Sequence, residues 1–127
     1  MKSRVQYDPL KAPEPKEWLA LGEQERIDVV QDYHRRARVR LPNEKLHAVM
    51  HAVIENQIAL GDETPVQSTA QRLMAEGLDR HDAIHAIGSV LSGFIFDIMT
   101  KPVSGTEPNE LYFAELRQLT AKAWLDS

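Results

Sequence analysis

Apolar positions recur every three to four residues along most of this chain, and no stretch alternates apolar with polar residues as a half-buried strand would. Ile27, Val30, Tyr33 and Ala37 predict a helix from near Glu23 to Arg40. Pro42 stops it, and Asn43 is placed to cap a second helix, from about Glu44 to Leu60. The main stripe of that helix is Leu46, Val49, Met50, Val53, Ile54 and Gln57, while Ala48, Ala52 and Ala59 form a small-residue face. It is therefore expected to be packed on most of its sides. Gly61 ends it, and Thr64-Pro65 opens a shorter helix with Val66, Ala70, Leu73 and Met74 inward and Gly77 at its close. Asp79 and Asp82 form an approximate capping box for a helix from Arg80 to Met99, whose core stripe is Ile84, Ile87, Leu91, Phe94, Ile95 and Ile98. A turn-rich stretch from Lys101-Pro102 to Glu107-Pro108 leads into a last helix, Asn109 to Leu125, with Leu111, Leu116, Leu119 and Trp124 inward.

The pattern predicts an all-α fold: a compact single-domain bundle of five to six helices over residues 16–127, preceded by an extended N-terminal arm, residues 1–15. Asp8-Pro9 and Ala12-Pro13-Glu14-Pro15 keep the arm out of helix, and Trp18 and Leu19 are placed to anchor its end.

Composition narrows the function classes. With 127 residues, 43% hydrophobic and 27% charged, the chain can build a core without a disulfide or metal staple. It has no cysteine, which excludes thiolate metal sites and cysteine nucleophiles. No apolar run approaches the roughly 18–20 residues of a membrane span, and the first residues lack the apolar stretch of a signal peptide. The expectation is a cytoplasmic protein with no membrane association. A net charge of −4 argues against broad nucleic-acid binding. The run His34-Arg35-Arg36-Ala37-Arg38-Val39-Arg40 reads as the solvated basic end of a helix, with His34 a surface residue.

Candidate chemistry lies in the histidines. Four of the five fall into two H-x-x-x-H pairs, His47/His51 and His81/His85, on two different helices. That spacing sets both imidazoles of a pair on one helix face, about 6 Å apart, as a helix offers two nitrogens to one metal ion. Counted at about 1.5 Å per residue, the first pair centres roughly 9 Å and the second roughly 6 Å beyond its helix cap. One intervening helix makes the two His helices run parallel, so the pairs can meet at one level. Imidazole suits Zn, Ni, Fe or Cu alike. Glu55 continues the first row by one turn, as a further ligand or as an outer acceptor for a ring N–H. Metal binding is expected to weaken below about pH 6.5, where imidazole ordinarily protonates. No H-E-x-x-H, glycine-rich phosphate loop, G-x-S-x-G elbow or E-x-x-H pair of a di-iron bundle is present, and nothing points to an organic cofactor.

Leu46-His47 with His51 and Gln57, a helix opened by Pro65, His81 with His85, and Gly105-Thr106-Glu107-Pro108 before a C-terminal helix together resemble a small bacterial all-helical family of unknown function. The resemblance covers more than half the chain, from Leu46 onward. Asn56 stands where that family has Glu before the Gln, so Glu55 is not a family position. The resemblance implies an all-α fold and brings no activity or catalytic residue with it.

Two readings follow. In one, this is a bacterial-type helical protein that binds a divalent transition metal through His47, His51, His81 and His85, its reaction unassigned. In the other, it is a non-catalytic interaction module or small regulator, with a protein partner or a second copy of itself, whose histidines form a structural polar seam.

Overall fold

The computed structural model describes residues 6–37, 43–100 and 108–127. Seven α-helices are present among them, and no strand: α1 (Pro15–Ala20), α2 (Glu23–Arg36), α3 (Glu44–Ala59), α4 (Val66–Ala75), α5 (Arg80–Thr100), α6 (Pro108–Gln118) and α7 (Ala121–Leu125). A 3₁₀ turn over Gly61–Glu63 joins α3 to α4. The fold is all-α, as the periodicity predicts.

Local chemistry starts the helices that matter most. The Asn43 side chain accepts from the Leu46 N–H at 3.0 Å and so caps α3. Asp79 accepts from the Asp82 N–H at 2.7 Å and caps α5. Gly61 and Gly77 take φ of +64° and +116°, which lets the chain turn out of α3 and α4 where a side chain would be strained.

α3 stands between two apolar clusters. Ile54 and Ile58 face the larger, built with Val66, Leu73, Ile84, Ile87, Leu91, Tyr112 and Leu116. Ala48 and Ala52 face the smaller, built with Tyr7, Trp18, Val29 and Val30. The small-residue face read from the sequence is thus the seat of α1, α2 and the N-terminal segment. Gly88 of α5 packs against side chains of α3: a Cβ there would lie 2.8 Å from the mobile Met50 Cε and 3.5 Å from Ile54 Cδ1.

Two expectations change. The final helix divides into α6 and α7, because Thr120 is extended and its side chain caps a new start by accepting from the Ala123 N–H at 3.0 Å. The segment before α1 also proves to be part of the core over its described residues: Tyr7 and Pro9 are buried, and beyond it Trp18 donates from Nε1 to Asn56 Oδ1 at 2.8 Å. The turn-rich stretch over 101–107 and the end of the arginine run over 38–40 lie outside the described residues. No helix among the described residues is long and apolar enough to cross a membrane.

Candidate metal centre

All five histidines of the chain come together, carried by α2, α3 and α5. His51 occupies the middle. Its ring centroid lies 4.8 Å from that of His47, 5.1 Å from those of His34 and His85, and 5.2 Å from that of His81. The others surround it in the order His34, His47, His85, His81, with successive centroid distances of 4.8, 5.0 and 4.3 Å, and 6.3 Å from His81 back to His34. The two H-x-x-x-H pairs meet crosswise, His47 against His85 and His51 against both His81 and His85. Arg80 at the start of α5 reaches Glu55 while Ser92 reaches Met50, so the two helices do not run side by side from a common start as the spacing predicts.

His34 corrects the sequence reading. It is 3% exposed, not a surface residue. The reason is helical phase: His34 follows Val30 by four residues, so it shares the inward face of Val30, and the arginines that follow it turn outward. Arg35, Arg36 and Ala37 are exposed, as the solvated reading of the basic run expects.

Ring nitrogens converge within the cluster. One nitrogen from each of His34, His51 and His81 lies within 4.8 Å of the other two, and the same holds for His47, His51 and His85. These groups are sized to hold a metal ion. The Nε2 atoms of His51 and His85 are 3.1 Å apart. Two ligand nitrogens about 2.0–2.1 Å from a tetrahedral zinc would sit about 3.3 Å from each other. The Nε2 atoms of His34, His47 and His81 are buried and have no hydrogen-bond partner. Buried polar atoms are nearly always satisfied, and leaving one without a partner costs about 1–3 kcal/mol. Three such atoms lie together in this one cluster.

The protonation state of the rings fits holding a metal ion. Burial, then the neighbouring imidazoles His85 and His34, pushes His47 down to about 4. Burial and His81 push His85 down to about 4 as well. His51, in the centre, is driven lower still by burial and by all four other rings, and His81 is lowered chiefly by burial. These four rings are neutral at pH 7 and keep a lone pair for a metal. Free imidazole, which titrates at about 6.5, is therefore a poor guide to this desolvated cluster.

Glu55 takes an outer position. Its Oε1 meets Arg80 Nη2 at 2.7 Å, and its Oε2 accepts from Arg80 Nη1 at 2.8 Å and from the Tyr7 hydroxyl at 2.7 Å. The Tyr7 oxygen in turn lies 3.1 Å from His51 Nδ1. Glu55 thus reaches the central ring through Tyr7, as an outer acceptor. Arg80 also donates to the Pro9 carbonyl at 2.9 Å, which ties the N-terminal segment to the same network. For Arg80, burial works against the charge, but the hydrogen bonds and charge of Glu55 outweigh it and hold the guanidinium protonated.

Three site residues escaped the sequence reading: His34, Tyr7 and Arg80. For Arg80 a signal existed. A carboxylate on an apolar helix flanked by Ile54 and Ile58 needs a buried cation. Comparison of the chain with protein-family models, with curated proteins and with solved structures gives no match.

Proposed function

We propose that this chain is a small helical metal-binding protein that holds one divalent transition-metal ion among its five histidines. Support comes from one observation above the rest: three buried Nε2 atoms without partners, gathered around a fourth and fifth that face each other at 3.1 Å. An all-nitrogen shell suits Zn, Ni, Cu or Fe and disfavours Mg or Ca, which want oxygen ligands. His51 belongs to both nitrogen groups, and its Nδ1 is engaged by Tyr7, so its remaining nitrogen serves a single ion. A second ion would be left with two imidazoles, which argues for one ion per chain. His47, His81 and His85 are only half-buried as residues, although the Nε2 atoms of His47 and His81 lie out of solvent. A ligand position left open there would suit Lewis-acid or redox chemistry.

A polar seam would need its histidines to bond one another; His51 and His85 do so at 3.1 Å, but the partnerless Nε2 atoms of His34, His47 and His81 speak against a seam through all five. Chelator-stripped protein titrated with Co²⁺ tests the reading. Ligand-field bands that saturate at about one ion per chain, and disappear in His51→Ala, are expected. A spectrum of hydrated Co²⁺ at every ratio would refute it.

A further inference from the structure

We infer that Tyr7 is a positioning residue for the central imidazole: it fixes His51 as the Nδ1–H tautomer, with its Nε2 lone pair turned into the cluster. The inference rests on the metal reading and concerns how that site is set rather than which ion fills it. The assignment follows from hydrogen counting along one chain of groups. Arg80 places two N–H donors on Glu55, at 2.7 and 2.8 Å, so Glu55 is a carboxylate and can only accept. The Tyr7 hydroxyl lies 2.7 Å from that carboxylate and has one hydrogen, which goes to Glu55 Oε2. Its oxygen is then left as an acceptor toward Arg80 and toward His51 Nδ1 at 3.1 Å; a bare Nδ1 there would set lone pair against lone pair, so Nδ1 brings the hydrogen. The opposite arrangement would set two lone-pair oxygens against each other at 2.7 Å. With Nδ1 protonated, the neutral ring of His51 has its free lone pair on Nε2, the atom 3.1 Å from His85 Nε2.

His34 obeys the same logic by a simpler route. Its Nδ1 faces the Val30 carbonyl at 2.9 Å, an oxygen that only accepts, so in the neutral ring the lone pair falls on Nε2. The two most buried rings are thus each turned by an outer acceptor so that the same atom is offered inward. The His51 relay differs in reaching a charged pair, and it runs through the N-terminal segment. Part of the site's preparation is carried by a residue 44 positions from the imidazole it orients.

Tyr7→Phe is the informative substitution. It keeps the ring that packs at 5.8 Å from Trp18, 6.0 Å from Tyr33 and 5.9 Å from His51, and removes only the oxygen. We expect Zn²⁺ affinity to fall about 10–100-fold, the usual effect of losing such an outer partner, while cooperative unfolding persists. Imidazole ¹⁵N spectra of the metal-free wild type should show His51 protonated at Nδ1, and the variant should lose that preference. This spectrum needs no variant: His51 found protonated at Nε2 in the wild type overturns the inference. Equal Zn²⁺ affinity in wild type and Tyr7→Phe overturns it while the metal reading stands. Wild-type protein that binds no Zn²⁺ overturns both.

Discussion

His34 gives its Nδ1 hydrogen to the carbonyl oxygen of Val30, one turn earlier on the same helix, at 2.9 Å. That bond leaves a lone pair buried on Nε2 with nothing to receive it. A protein selected for stability alone would place leucine there. We therefore expect His34→Leu to leave the unfolding free energy of chelator-treated protein unchanged or higher, while transition-metal affinity falls. Denaturant unfolding with and without Zn²⁺ checks both. If His34 were part of a structural seam, the metal-free variant would lose about 1–3 kcal/mol.

Metal-free protein should become less stable in acid through its histidines. In the folded chain His47 and His85 titrate at about 4, whereas an unfolded histidine titrates near 6.5. Between those values the unfolded state binds more protons than the folded one, so stability rises with pH across that window and falls as pH drops through it. Equilibrium unfolding measured from pH 7 to pH 4 should show this slope. Saturating Zn²⁺ should raise stability at neutral pH and carry the same slope further into acid, since bound nitrogens stay unprotonated in the folded state while those of the unfolded chain take up protons. A pH-independent stability above pH 4 in metal-free protein would contradict the neutral, desolvated cluster.

Arg80 and Glu55 are 8% and 1% exposed at their side chains, so neither tolerates the loss of the other. Arg80→Met leaves a carboxylate buried beside Tyr7 and should cost about 3–5 kcal/mol. Glu55→Met together with Arg80→Met should recover most of that loss. Thermal unfolding of the single and double variants measures the recovery, and a double variant as unstable as the single would contradict the pairing.

The approach of α5 to α3 at Gly88 controls how closely the two histidine pairs meet. An added methyl meets the mobile end of Met50, 2.8 Å away, so Gly88→Ala should be tolerated with little loss. Gly88→Val also crowds Ile54 Cδ1, already 3.5 Å from that Cβ position, and should cost about 1–3 kcal/mol. Zn²⁺ affinity of Gly88→Val should fall alongside its stability, as His81 and His85 are pushed from His47 and His51.

Much of this arrangement is legible in the chain because helical periodicity is local. The caps Asn43 and Asp79, the stop at Gly77 and the faces of α3 all follow from neighbouring residues, and so does the shared helix face of each histidine pair. His34 escaped because the apolar row of α2 was phased on Tyr33 and Ala37, and the arginines beside it suggested solvent. One step of helical phase separates a surface ring from a buried one. Tyr7 lies in a proline-marked segment with no periodicity of its own, so its place against Glu55 and His51 depends on tertiary packing. The break at Thr120 was masked by leucines whose spacing runs on through it.

Anomalous diffraction at the zinc edge, on crystals grown with Zn²⁺, tests the central claim most directly. The expected result is one strong peak per chain, about 2.0–2.1 Å from Nε2 of His51 and bonded to at least two further histidines of the five. No peak among the histidines, or zinc held only at surface carboxylates, would contradict a metal centre at this place.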